Sequence, residues 1–218
     1  MSGIRFELPP KGTLTPNDEY DPLPYYYKPG IGWLYRRRLT MALELLPSPN
    51  GLPGRGKVLE IGVGSGVLVP TLTRAYGEYV GVDLVLAQGL ERLVAPRCKA
   101  TLREADLLDP ATLPEAAFDA IVCVSVLEHI ADRDGAARGL ARALKPGGTL
   151  VVGVPMVNRA MSRAFEVVGF SGIDDHHVSA PVEIEAALGR VLQRAGRSAL
   201  PPGAPTPLAL YSCTAWRR

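Results

Sequence analysis

At 218 residues, with 47% hydrophobic and 21% charged, the chain has room for one well-packed α/β domain of ordinary globular composition. Its net charge of +2 argues against a strong nucleic-acid footprint or a polyanionic partner. Cys98, Cys123 and Cys213 each sit in an apolar run without metal-ligand spacing, and they read as reduced core residues. No basic-then-apolar leader opens the sequence, and no apolar run reaches the ~18 residues of a membrane span. The expected setting is cytoplasmic.

Residues 1–30 are rich in proline and tyrosine, which argues against a regular helix and suggests an arm lying over the domain. Ile31 to Leu46 follows as a helix with Leu34, Leu39, Leu43 and Leu46 roughly on one face. Within it, Arg36, Arg37 and Arg38 read as a solvated face from which one arginine can reach a carboxylate over a cleft. This arm and cap helix occupy residues 1–50, and the main domain spans 51–218. After the proline- and glycine-rich connection Pro47 to Gly56, Val58 to Ile61 is a short apolar strand. A helix beginning over Ser65 to Val69 runs to about Tyr76, then come a strand from Glu78 to Val82 closed by Asp83 and a helix from Leu84 to Val94. Lys99 to Ala105 and Ala117 to Val124 are further strands, Asp132 to Leu144 is a helix stopped by Pro146-Gly147-Gly148, and Thr149 to Val154 is the fifth strand. Strand and helix alternating at this period imply a doubly wound parallel sheet with right-handed crossovers. Beyond it, Met156 to Val168 reads as a helix and Pro181 to Ala195 as another, begun by proline and ended by Gly196. Arg197 to Leu200 and Leu208 to Trp216 read as a closing antiparallel pair.

The stretch Val58-Leu59-Glu60-Ile61-Gly62-Val63-Gly64-Ser65-Gly66 organises the rest. A strand, a glycine turn and a helix N-terminus open backbone amides toward a ligand. The glycines read G-x-G-x-G, whereas the dinucleotide fingerprint is G-x-G-x-x-G, and Val67 stands where that last glycine belongs. Glu60 suits a ligand carrying an amine or positive charge better than one carrying a pyrophosphate. An ordinary strand-to-helix turn is the competing reading. In an open α/β sheet the ligand lies beyond the carboxyl ends of the strands. Those ends carry Glu60, then Asp83, able to accept both hydroxyls of a ribose, then Asp106, able to accept from an adenine amino group beside the Leu107 amide. Unpartnered buried carboxylates are costly, so three in succession point to a donor-rich ligand.

These stretches, with Ala105-Asp106, Phe118-Asp119, Val126-Leu127-Glu128-His129 and Leu144-Lys145-Pro146-Gly147-Gly148-Thr149-Leu150, resemble the class I S-adenosylmethionine-dependent methyltransferases over roughly residues 56–154. The likeness is greatest to the small-molecule branch with a Leu-Glu-His motif after the fourth strand. It implies a Rossmann-like methyltransferase fold, a seven-stranded and mostly parallel sheet with a reversed C-terminal strand. It implies S-adenosyl-L-methionine as cofactor. Gly62, Gly64 and Gly66 are then expected to wrap its methionine part with Val63 alongside, and Glu60 to receive the ammonium. Asp83 with Leu84 is expected at the ribose, Asp106 with Leu107 at the adenine, and Val124 with Ser125 beside the amino-acid moiety.

The implied reaction is methylation of a small-molecule acceptor, foremost O-methylation of an apolar or aromatic metabolite. Alternatives are N- or C-methylation of a lipid-linked acceptor through peripheral membrane contact, a catalytically silent cofactor-binding subunit, and an oxidoreductase or epimerase on a dinucleotide fold. No Asn- or Asp-Pro-Pro-aromatic motif follows strand four, as in enzymes acting on the amino groups of nucleic-acid bases, and no nucleic-acid partner is expected. The chain is expected to act as a monomer or homodimer. Candidate bases are His129, His176 and His177, the complete histidine set. With Asp174 and Asp175 beside them, His176 and His177 fit a solvated loop or an acceptor-site base better than a metal site, and no metal is assigned. The acceptor pocket is expected from the arm and the 155–180 insertion, with Tyr25, Tyr26, Tyr27, Trp33, Met156, Met161, Phe165 and Phe170 as its apolar wall.

Overall fold

The computed structural model describes residues 4–48, 55–109, 113–156, 180–205 and 208–218. In chain order, a short helix α1 (Leu23–Tyr26) precedes α2 (Ile31–Leu45). Strand β1 (Lys57–Ile61) leads to α3 (Val69–Ala75), β2 (Glu78–Asp83) and β3 (Lys99–Glu104). Then follow β4 (Phe118–Val124), α4 (Arg133–Ala143), β5 (Leu144–Pro155), α5 (Pro181–Gly189), β6 (Gln193–Leu200) and β7 (Tyr211–Arg217).

Among the described residues the strands form one seven-stranded sheet in the order β3-β2-β1-β4-β5-β7-β6. β1 to β5 are parallel, and β7 runs antiparallel to both β5 and β6, so the reversed strand is present as expected. Period-two alternation along each strand sends its apolar residues to two cores. Leu59, Ile61, Ile121, Cys123, Leu150 and Val152 pack with α4 and α5 on one face. Val58, Ala120, Val122 and Val151 pack with α2 and α3 on the other. β1 and β4 are buried along nearly their whole length, as strands covered on both faces must be.

Several boundaries differ from the sequence reading, each for a local reason. The helix after the glycine turn starts only at Val69, because two tight turns come first and Pro70 suits a first helical turn. Leu84 to Val94 is not a helix: it holds bends and a 3₁₀ turn at Leu90–Leu93, entered through Gly89 at φ 79°. The Pro146-Gly147-Gly148 stop lies inside β5 as an irregularity, where pairing with β4 jumps from Phe118–Leu144 to Ala120–Thr149. α5 ends at Gly189, and Gln193 to Ala195, expected as helix, begins β6 along β7. Here pairing with a formed strand outweighs local propensity. The helix expected from Met156 to Val168 falls almost wholly outside the described residues.

Asp132 caps α4, its carboxylate accepting the Gly135 amide at 2.8 Å. Asp132→Ala should lower stability by about 1 kcal/mol, the usual cost of losing an N-cap. Urea denaturation should show the midpoint falling at constant slope, and an unchanged midpoint would refute the capping role.

Candidate functional site

β1 and β4 are hydrogen-bonded neighbours, yet the chain leaves them for opposite faces of the sheet. Beyond their carboxyl ends lies a cavity of about 710 Å³. That is within the roughly 300–1,000 Å³ of small-molecule sites. The ends of β1, β2 and β3 supply one side of its wall, including Glu60, Gly62, Val63, Gly64, Asp83, Leu84, Asp106 and Leu107. On the β4 side stand Val124, Ser125, Glu128, His129 and Tyr211, with Tyr35 and Arg38 of α2.

Glycine is required at position 62. The backbone there has φ 78°, and a Cβ would stand 2.2 Å from a Val126 methyl. Gly62 donates to the Val82 carbonyl at 2.8 Å, and Gly64 donates to Asp83 Oδ2 at 2.7 Å, which ties the turn to β2. Gly66 has a different reason for being glycine. It lies outside the cavity wall, where a Cβ would stand 2.4 Å from Leu90 Cδ2.

Glu60 is 4% exposed, and the Tyr79 hydroxyl donates to its Oε2 at 2.6 Å. Burial pushes the Glu60 carboxyl up to about 8; the Tyr79 hydrogen bond opposes this and the nearby Asp83 charge adds to it. The sequence argument from three buried, unpartnered carboxylates therefore needs correction. Asp83 is half-buried and takes the Gly64 amide, while Asp106 is exposed and accepts the Leu108 amide at 2.8 Å. Only Glu60 is buried, and it has Tyr79. What the three share is their position at consecutive strand ends facing one cavity.

The opposite side of the cavity is organised by Arg38, which the sequence left as one of three in a solvated run. Arg37 does stay outside, paired with Glu44 at 2.7 Å. Arg38 turns inward, donating to the Tyr26 hydroxyl at 2.8 Å and to Ser125 Oγ at 3.2 Å. It therefore takes hydroxyls rather than the expected carboxylate. Its guanidinium lies over the rings of Tyr35 and Tyr26, 4.7 and 5.5 Å from their centroids. Burial works against the Arg38 charge, but the phenols of Tyr26, Tyr211 and Tyr35 hold its pKa above the ordinary value. Ser125 Oγ is 2.9 Å from the Tyr211 hydroxyl. Ser125 also has φ 57°, a conformation unusual outside glycine, which turns the chain sharply off β4. Arg38, Tyr35 and Tyr211 were not readable as site residues, since only the packing of α2 and β7 brings them to the ends of β1 and β4.

The arm reaches the same place. Asp21 accepts from Ser65 Oγ at 3.2 Å and from the Leu23 amide at 2.7 Å, so it joins the chain before α1 to the glycine turn. Of the apolar wall expected from the arm and insertion, only Tyr26 lines the cavity among the described residues. Tyr25 stacks on Tyr35 at 5.2 Å, Tyr27 donates to the Pro9 carbonyl, Trp33 is 58% exposed, and Met156 is in the core. Met161, Phe165, Phe170, His176 and His177 lie outside the described residues. His129 is exposed at the cavity rim. Glu128, beside it, is 2% exposed and lines the same cavity. Among the described residues there is no cluster of His, Cys, Asp and Glu suited to a metal, and no helix is long and apolar enough to cross a membrane.

Residues 59–152 match the family model described as a methyltransferase domain. A ubiquinone biosynthesis O-methyltransferase of Alkalilimnicola ehrlichii is 34% identical over 105 residues, covering 47% of this chain and 42% of that protein. One of Hahella chejuensis is 30% identical over 137 residues, covering 59% and 55%. The chain thus matches about half the length of these curated relatives. Among solved structures, the N-methyltransferase NodS of Bradyrhizobium japonicum, in complex with S-adenosyl-L-homocysteine, superposes with a TM-score of 0.61 at 20% identity, covering 92% of this chain and 93% of that one.

Glu60 makes stability depend on pH. Its folded pKa of about 8 lies above the ordinary 4.5, so between these values the folded chain keeps a proton that the unfolded chain releases. Stability must therefore fall as pH rises through that window. In thermal melts from pH 5 to 8, Glu60→Gln should show a shallower decline than the parent. Identical slopes would refute the assignment. Gly62→Ala should lower stability by about 2–4 kcal/mol, combining a positive φ with overpacking against Val126. A variant as stable as the parent in urea would show that the turn can relax.

Proposed function

We propose that this chain, which carries a class I S-adenosylmethionine-dependent methyltransferase domain, transfers a methyl group from S-adenosylmethionine to oxygen on a small apolar or aromatic acceptor. The observation that carries this reading is one cavity at the β1/β4 switch point, with the glycine turn and strand-end carboxylates on one side and a tyrosine-lined polar cluster on the other. The names of the curated relatives, O-methyltransferases, support oxygen as the target.

The residues present suit the cofactor. The Gly62 turn leaves no room for a side chain, and buried Glu60 stands where an ammonium can ionise it. Gly62, Val63 and Gly64 would hold the methionine part, with Val124 and Ser125 across from them. Asp83 with Leu84 would hold the ribose, and Asp106 with Leu107 the adenine. Gly66 would contribute by keeping the turn packed against Leu90. When bound, the cofactor supplies an activated methyl on a sulfonium. The protein's contribution is then to align the acceptor oxygen in line with that methyl and to exclude water. Residues 1–50 act as an arm and cap over residues 51–218, and 155–180 as the acceptor-side insertion. His129, at the rim, and His176 and His177 of that insertion remain the histidine candidates for general base. The enzyme acts on a small-molecule acceptor in the cytoplasm, as a monomer or homodimer, without nucleic acid or stable membrane insertion.

Calorimetry should show S-adenosylhomocysteine binding while NAD does not bind; the reverse would overturn the proposal. Asp83→Ala should weaken that binding by about 1.5–3 kcal/mol, the range of a charged hydrogen bond. Unchanged affinity would remove Asp83 from the ribose site.

A further inference from the structure

The arm brings a carboxylate of its own to the cavity, and the reading above gives that charge no task. Residues 1–30 hold four acidic side chains, Glu7, Asp18, Glu19 and Asp21. Glu7 pairs with Arg74, Asp18 is exposed and accepts the Tyr20 amide at 2.8 Å, and Glu19 lies off the cavity wall. Asp21 alone is both buried, at 9% exposed, and part of the wall. The described residues give it only neutral donors. Its Oδ1 accepts the Leu23 amide at 2.7 Å and the Ser65 hydroxyl at 3.2 Å, and its Oδ2 accepts the Asn17 amide at 3.3 Å. A carboxylate taken out of water carries the cost of its charge until a cation offsets it.

A carboxylate oxygen has two lone pairs to offer, so Oδ1 is filled while Oδ2 holds one long bond. Oδ2 is also the oxygen that faces the glycine turn. A Cβ placed on Gly64 would meet it at 3.5 Å and, chain neighbours aside, nothing else within 4 Å. The Gly64 amide is committed elsewhere, donating to Asp83 Oδ2 at 2.7 Å. Glu60 reaches the same turn from the end of β1, so one carboxylate stands at it from the strand and one from the arm. A neutral ligand group leaves both charges uncompensated, and an anionic one is repelled by both. An ammonium carries three N–H donors and a positive charge, so it can bond the two carboxylates together.

We propose that Asp21 is a cofactor-binding residue that receives the cofactor's ammonium together with Glu60, so that the arm itself reads the amino-acid end of the cofactor. The inference rests on the methyltransferase reading and adds to it a residue from outside the matched residues 59–152. The glycine turn accepts any ligand that fits its backbone, and the arm carboxylate makes the site selective for one that carries an amine. The same contact gives the cofactor a hold on the arm, because the ammonium bridges the chain before α1 to the end of β1.

The test titrates the full chain with S-adenosylhomocysteine and with methylthioadenosine, which keeps the adenosine and the thioether but lacks the amino-acid part. Asp21→Asn preserves the shape and removes the charge, while the bonds from Asn17 to Val85 and from Arg38 to Tyr26 still hold the arm in place. Saturation-transfer NMR should show this variant binding S-adenosylhomocysteine about tenfold more weakly than the parent, the loss expected for one charge-assisted hydrogen bond, with methylthioadenosine binding unchanged. Ser65→Ala, which removes a neutral donor to Asp21 but leaves its charge, should keep the parent's preference for S-adenosylhomocysteine. Unchanged or tighter binding of S-adenosylhomocysteine by Asp21→Asn, equal weakening of both ligands, or an equal loss of preference in Ser65→Ala would overturn the role of Asp21. Failure of the parent to bind S-adenosylhomocysteine would instead overturn the methyltransferase reading.

Discussion

The site exists because two adjacent parallel strands cannot send their connections to the same side. Right-handed crossovers place α3, which follows β1, on one face of the sheet and α4, which follows β4, on the other. Nothing can cross the gap between the two strand ends, so the cavity opens there. The backbone leaves both strands at that gap in the left-handed region. Gly62 leaves β1 at φ 78° and Ser125 leaves β4 at φ 57°. The Val126 side chain fills the space where a residue-62 side chain would stand, so the two exits interlock.

Around this gap the two sides do different physical work. The β1–β3 side holds the glycine turn rigid through backbone donors to strand-end acceptors, Gly62 to Val82 and Gly64 to Asp83. The β4–β7 side holds a charge away from water through Arg38, whose bonds run to Tyr26 of α1 and to Ser125 just after β4, while Tyr211 of β7 meets the same serine. Removing such a group would leave its hydroxyl partners unsatisfied in a low-dielectric pocket, where each polar bond counts for more. The arm enters the same network through Asp21 and Ser65, so the chain before α1 and the ligand turn are energetically joined.

Much of this was legible in the chain alone. Alternating apolar runs and turn residues were enough for the strands, for the strand-end positions of Glu60, Asp83 and Asp106, and for the reversed last strand, because hydrophobic period and glycine placement are local properties. Errors came where a local preference met a tertiary partner. Gln193 to Ala195 joined β6 because β7 offered strand pairing there, with one irregularity between Arg194 and Gly196. Leu84 to Val94 lost its helix to bends and a short turn whose Leu90 is buried against the glycine loop.

The amino-acid sequence by itself determined the α/β order, the glycine turn and the carboxylates at the strand ends, since each depends on residues close together along the chain. Only the tertiary structure decided that Arg38 faces inward while Arg37 pairs with Glu44 in solvent, and that Asp106 is exposed while Glu60 is buried. It also decided that Tyr35, Ser125, Glu128 and Tyr211 share one wall. Burial and charge compensation are set by elements 87 residues apart, as with Arg38 and Ser125, and no local pattern encodes that separation.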